Sequence, residues 1–270
     1  MVIPLEEVCI YFGAAEPRVL LDSLKRALYE AVTRNVPETK VAVAFSGGVD
    51  SSVLAKISSD LGKDVTLITI GFPDSHDISF SKKIASKMGI RQEIAELEVQ
   101  EFLNSLDHVR SIIECKNTSH LENCVAFMCV SSTAARLGLC TVLTANGFDE
   151  LFCGYNGYRL VYAAGHSAMA RLMEEKIANE LSLAEEISLV AGQFEVAVRH
   201  PFLSDDFVSF AKSIPFDSKI TGPDDMVRKH ILRRAALEIG VPEESAAKPK
   251  KALQYGSSIH KHFKRISKQA

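Results

Sequence analysis

Eight consecutive residues, Phe45-Ser46-Gly47-Gly48-Val49-Asp50-Ser51-Ser52, place glycines, hydroxyls and a carboxylate directly after the apolar run Val41-Ala42-Val43-Ala44. That order predicts a buried strand, a tight turn and the first turn of a helix. A helix N-terminus leaves backbone N–H groups without partners and carries the positive end of the helix dipole. The glycines permit positive φ and close approach of a ligand to the backbone. Ser46, Ser51 and Ser52 add hydroxyl donors. Together these parts form a socket for an anion, most simply a phosphate. The common phosphate loop needs Gly-x-x-x-x-Gly-Lys-Ser/Thr. Here Asp50 stands at the helix start instead, and a carboxylate beside a polyphosphate calls for a divalent cation between them, so Mg²⁺ is expected.

A second stretch, Thr144-Ala145-Asn146-Gly147-Phe148-Asp149-Glu150-Leu151-Phe152-Cys153-Gly154-Tyr155, repeats the order of strand, loop and helix. On its own it also fits a helix whose first turn is acidic.

The elements that must hold these loops can be read from periodicity. Residues 17–35 predict a helix with Leu20, Leu24, Ala27, Leu28 and Ala31 on one face. Strands are expected at Val41–Phe45, Val65–Ile70, around Gln92–Leu97 and at Thr141–Ala145, with helices near 50–61, 78–88 and 120–137. The alternation predicts an α/β fold with a doubly wound parallel sheet. Ligands of such sheets bind beyond the carboxyl ends of the strands, so Ser46, Gly71 and Asn146 should share one cleft. Beyond Tyr155 the pattern turns mostly helical, with breaks near Gly192, Pro201, Pro215 and Gly222-Pro223. The expected organisation is an N-terminal segment and helix over 1–39, a phosphate-binding α/β core over 40–160, and a helical region over 161–270 that completes the site.

Composition narrows the class. The 270 residues are 47% hydrophobic and 24% charged, as in an ordinary globular chain. A net charge of −3 gives no support for a nucleic-acid partner. No run approaches the ~20 apolar residues of a membrane span. The six cysteines form no C-x-x-C pair. They read as reduced thiols of a cytoplasmic protein, with no support for a zinc or iron–sulfur site.

The octet resembles the S-G-G-x-D-S-S loop of the PP-loop ATP pyrophosphatases. The second stretch resembles the S-G-E-G-x-D-E-x-F-G-G-Y segment of the synthetase domain of asparagine synthetases. Three later segments agree in order: Arg199-His200-Pro201-Phe202-Leu203 with R-x-P-F-L, Lys229-His230-Ile231-Leu232-Arg233-Arg234-Ala235 with K-x-x-L-R-x-A, and Lys248-Pro249-Lys250-Lys251 followed by Gly256 with R-x-K…G. Gly71-Phe72-Pro73 resembles the adenine-side G-x-P turn. The resemblance implies that Ser46, Gly47, Gly48, Asp50, Ser51, Ser52, Gly71 and Gly147 bind ATP and its pyrophosphate. It further implies that Asp50 and Asp149 hold Mg²⁺ and that Lys250 is the catalytic lysine at the phosphates. The implied reaction adenylates a substrate carboxylate, releases pyrophosphate, and transfers the acyl group to ammonia or an amine.

Departures from the pattern fall in the acceptor half. Asn146 stands where the family has glutamate, and an amide cannot take a proton from an amine. Ala197 replaces an acidic residue, and Glu122 stands near where an arginine would hold an amino-acid substrate. Only about forty residues precede the first strand, so no amidotransferase domain is expected ahead of it. Nitrogen would then come from free ammonia, from a substrate amine, or from a separate glutaminase partner. Two alternatives stay open: a non-catalytic or partner-dependent nucleotide-binding subunit, and a tRNA-thiolation enzyme with the same loop.

Overall fold

The structure is a computed structural model that describes residues 18–73, 75–114, 117–249 and 256–266. It opens with helix α1 (Arg18–Asn35), which buries Leu21, Leu24, Leu28, Ala31 and Val32 at helical spacing. Strand β1 (Lys40–Ala44) leads into α2 (Val49–Asp60), and β2 (Asp64–Gly71) into α3 (His76–Met88). Next come β3 (Gln92–Glu96), α4 (Val99–Ile112), α5 (Thr118–Arg136), β4 (Thr141–Leu143) and the short α6 (Phe148–Leu151) and α7 (Asn156–Val161). The long α8 (His166–Gly192) precedes β5 (Ala197–Arg199), followed by α9 (Asp205–Ser213), α10 (His230–Glu238), α11 (Glu243–Ala247) and α12 (Ile259–Ile266).

The strands form one sheet in the order β3-β2-β1-β4-β5. Every pairing is parallel, with Ala42 opposite Thr66 on one side of β1 and Val142 on the other. A parallel sheet must be covered on both faces, and this one is. Val41 and Val43 point into a core shared with α1, α2 and α10; Ala42, Ile68, Ile70 and Val142 point into a second core built from α4, α5 and α8. This is the expected doubly wound fold. Strand order reverses between β1 and β4, so the loops leaving those two strands diverge and open a crevice.

Two elements had no clear signal. α4 was unassigned in sequence, and β5 is a three-residue strand that joins the sheet from within the stretch read as mostly helical. Among the described residues, no helix is long and apolar enough to cross a membrane.

The turn after β1 explains one glycine. Gly47 has φ +72, and a Cβ there would stand 3.0 Å from Phe80 Cδ1 and 3.1 Å from Ser81 Cα on α3. Gly48 has φ −70, and the nearest atom to a Cβ would be Ser46 Oγ at 3.4 Å. Gly47→Ala is expected to cost about 1–3 kcal/mol of stability, and Gly48→Ala less than about 1 kcal/mol. Urea denaturation of the two variants checks this; equal losses would show that the turn does not depend on the left-handed residue.

Candidate active site

The loops after β1 and β4 face each other across a cleft of about 250 Å³. On the β1 side, Phe45 N–H donates to Ile68 O at 2.9 Å and keeps the chain in the sheet up to the turn. α2 starts with no side-chain cap at Gly48. The loop's own polar contacts are long: Ser46 N–H to Ser51 Oγ is 3.3 Å, and Gly48 N–H to Ser46 Oγ is 3.4 Å. Bonds this weak can be exchanged for those of an anion at the helix N-terminus. Asp50 lies in the first turn and turns its carboxylate into the cleft.

On the β4 side, Gly147 has φ +103 and a Cβ there would lie 2.8 Å from Phe202 O, so the position suits glycine. Phe148 stacks on Phe202 with centroids 4.1 Å apart, which anchors α6 and aims Asp149 at the cleft. His200 backs this loop, with Nδ1 2.8 Å from Thr144 Oγ1. Burial pushes its pKa down to about 4, so the ring is neutral.

The two carboxylates meet at one cation. Lys229 Nζ donates to Asp50 Oδ1 at 2.9 Å and Oδ2 at 2.7 Å, and it stands 2.6 Å from Asp149 Oδ1. Its side chain is 1% exposed. The backbone that delivers it is strained: Arg228 and Lys229 are consecutive left-handed residues with φ +54 and +56. Asp225 fixes them. Its carboxylate accepts from the N–H groups of Thr221, Val227 and Arg228 at 2.9–3.0 Å and from His230 Nε2 at 2.6 Å. Burial opposes the charge on Asp225, but the His230 bond and the backbone donors outweigh it and hold the carboxyl well below the usual range.

Two further cations border the same end. Arg233 is 1% exposed, and among the described residues its guanidinium donates to backbone carbonyls, those of Arg228, Val227, Ala246 and Lys248. Burial lowers its pKa to about 10, so it stays charged near neutrality. Lys248 Nζ lies 3.3 Å from Asp77 Oδ1 and 4.0 Å over the Phe80 ring.

The far end of the cleft is polar in another way. Asn146 Nδ2 donates to Glu180 Oε1 at 2.5 Å. Tyr155 donates to Glu150 Oε1 at 2.5 Å, and burial followed by the Glu150 charge pushes the phenol well up. His120 sits between Glu186 at 2.9 Å and Asn179 at 3.1 Å.

Comparison with known proteins gives the family. The family described as Asparagine synthase matches over residues 23–191 and 182–269. The chain belongs to the asparagine synthase family. A Methanocaldococcus jannaschii protein described as a glutamine-hydrolyzing asparagine synthetase is 27% identical over 91% of this chain and 51% of its own length. The mouse asparagine synthetase domain-containing protein 1 is 39% identical over 44% of this chain and 20% of its own. A structure of NMN synthetase from Francisella tularensis overlaps 90% of this chain and 78% of its own at TM-score 0.48 and 12% identity. The chain spans about half the length, or less, of the curated relatives it matches.

In this asparagine synthase family chain, Ser46, Gly48, Asp50, Ser51, Gly147 and Asp149 line the cleft. Gly47 turns toward α3. Ser52 is buried and accepts from Ser245 Oγ at 2.8 Å, which ties α2 to α11. Gly71 sits beneath Ser75, whose Oγ would be 2.4 Å from a Cβ. Lys250 lies outside the described residues. Ala197 is exposed at the start of β5, and Glu122 is buried against His260 Nδ1 at 2.7 Å, where it holds α12 on α5; neither lines the cleft. Of the three departures, only Asn146 faces it.

Sequence reasoning had assigned no role to Lys229, Arg233, Lys248 or Glu180. The first three stood inside quoted motifs. Glu180 carried its own signal: it falls within the buried stripe Met169, Met173, Ile177, Leu183 and Ile187 of α8, a place for an apolar residue unless the carboxylate has a task.

The bridge leaves no room behind it. A Cβ on Gly154 would lie 2.0 Å from Asp149 Oδ1 and 2.5 Å from Lys229 Cε. Gly154→Ala is expected to break one ion pair and cost about 3–5 kcal/mol. Chemical denaturation measures it; wild-type stability would show that the carboxylate and the ammonium tolerate separation.

Proposed function

We propose that this chain is an ATP-dependent carbon–nitrogen ligase that adenylates a carboxylic acid, releases pyrophosphate and passes the acyl group to ammonia or an amine. The observation that carries this reading is the convergence of Asp50 and Asp149, from the loops on either side of the reversal in strand order, on one buried ammonium. Two carboxylates beside an anion socket suit a metal–polyphosphate.

The residues fit Mg²⁺. Among the described residues no group of three or more His, Cys, Asp or Glu could hold a metal alone. Mg²⁺ commonly takes one or two carboxylates and completes its shell with phosphate oxygens and water. Held by Asp50 and Asp149, it would neutralise charge on the leaving pyrophosphate.

The chain's own groups do the rest. The α2 N-terminus with Ser46 and Ser51 binds the β and γ phosphates. Lys229, Arg233 and Lys248 face the charge that grows as the α–β bond breaks, and Lys250 joins them by its family match. The substrate carboxylate lies toward Asn146 and attacks the α-phosphorus. An amine then displaces AMP. Asn146 cannot act as base, but Glu180, one hydrogen bond away, supplies a carboxylate to take the amine's proton. Nitrogen arrives as ammonia, as a substrate amine, or from a glutaminase partner.

The test is a screen of carboxylic acids for pyrophosphate and AMP production from ATP, with and without ammonium. ADP and phosphate as products, or no acid dependence, would sink the proposal. With an active acid in hand, Glu180→Gln is expected to keep acid-dependent ATP–pyrophosphate exchange while amide formation falls by ~10²–10⁴-fold. Equal loss of both would remove Glu180 from the proton transfer.

A further inference from the structure

We propose that Lys229 is the resident counter-cation of the Asp50–Asp149 pair, and that it bars a divalent metal from the pair until a polyphosphate arrives to receive the ammonium. This rests on the nucleotide-binding reading above.

An ammonium has three N–H donors. In Lys229 they serve both oxygens of Asp50, at 2.7 and 2.9 Å, while Asp149 Oδ1 stands 2.6 Å away as a second ion pair. The ammonium is ion-paired on both sides and shut off from water. It sits where a metal shared by the two carboxylates would sit.

Displacement by a bare cation is opposed from three sides. The backbone of Lys229 is locked by Asp225 and by the Arg233 bond to Arg228 O at 2.8 Å. The Cα of Gly154 closes the space beside its stem. An ammonium pushed off the carboxylates would stay buried without an anion, at a cost that exceeds what a weakly held metal returns. Charge balance points the same way. Among the described residues at this end, Asp50 and Asp149 pair with Lys229, Lys248 pairs with Asp77, and Arg233 adds a further cation beside them, so the attraction for a free cation is largely neutralised.

A polyphosphate changes all three terms together. Phosphate oxygens at the α2 N-terminus offer the ammonium the acceptors it gives up. They supply ligands the carboxylates lack, and they bring the metal as part of an anion. Lys229 thereby moves from the aspartates to the phosphates, and metal and nucleotide bind as one unit.

The experiment uses Mn²⁺ as probe on the full chain, read by equilibrium dialysis as the excess Mn²⁺ on the protein side over a protein-free side of the same nucleotide content. Wild type without nucleotide is expected to leave millimolar Mn²⁺ free. Wild type with the non-cleavable analogue α,β-methylene-ATP is expected to bind it. Lys229→Met, which removes the charge and keeps the stem, is expected to bind Mn²⁺ without nucleotide on the order of 10²-fold more tightly than wild type. Asp149→Asn in that background should abolish the gain. The wild-type arms decide even where the variant does not fold. Tight Mn²⁺ binding by nucleotide-free wild type overturns the inference and leaves the nucleotide reading standing. Failure of wild type to take up Mn²⁺ with the analogue overturns that reading, and the inference with it. Equal nucleotide-free affinity in wild type and a folded Lys229→Met also overturns the inference.

Discussion

One buried ammonium holds three parts of this protein in register. Lys229 precedes α10, Asp50 opens α2 and Asp149 lies in α6, and their charges meet within 2.6–2.9 Å. Burying the ammonium against two part-buried carboxylates is expensive, and their mutual attraction must repay the cost. The strain of two successive left-handed residues adds to the cost. It is over-determined by the Asp225 network, a pattern expected where geometry serves a site rather than stability.

The fold sets up this meeting. β1 and β4 are neighbours in the sheet, but the chain winds outward from them in opposite directions, so their loops part and the crevice falls between them. Each loop is braced from behind: the β1 turn by α3 through Gly47, the β4 loop by Phe148 on Phe202 and by the neutral His200. The long α8 then reaches back across the crevice with Asn179 and Glu180. The two ends of the cleft are thus chemically unlike. Cations gather at the α2 end, while amides, His120, Glu150 and Glu180 gather at the other.

Much of this was legible in the sequence. The strand–glycine–helix order implies the sheet, and the family resemblance pairs Asp149 with Asp50. What escaped had physical reasons. Lys229 is 179 residues from Asp50, and no periodicity encodes a bridge across that distance. β5 is too short to show alternation. Glu122 was read by alignment into the acceptor pocket, but in the fold it is buried against His260, because a helix position is set by the face it occupies. Glu180 could have been found, since a glutamate within an apolar stripe is a local conflict of the kind that marks function.

The most direct test of the bridge is a double-mutant cycle between Asp50→Asn and Lys229→Met, measured by urea denaturation of the nucleotide-free protein. Each single change leaves its partner only partly compensated, so the double variant is expected to be more stable than the two losses summed, by about 1–3 kcal/mol. Additivity within about 0.5 kcal/mol would contradict the claim that these charges act as one unit on which the cleft depends.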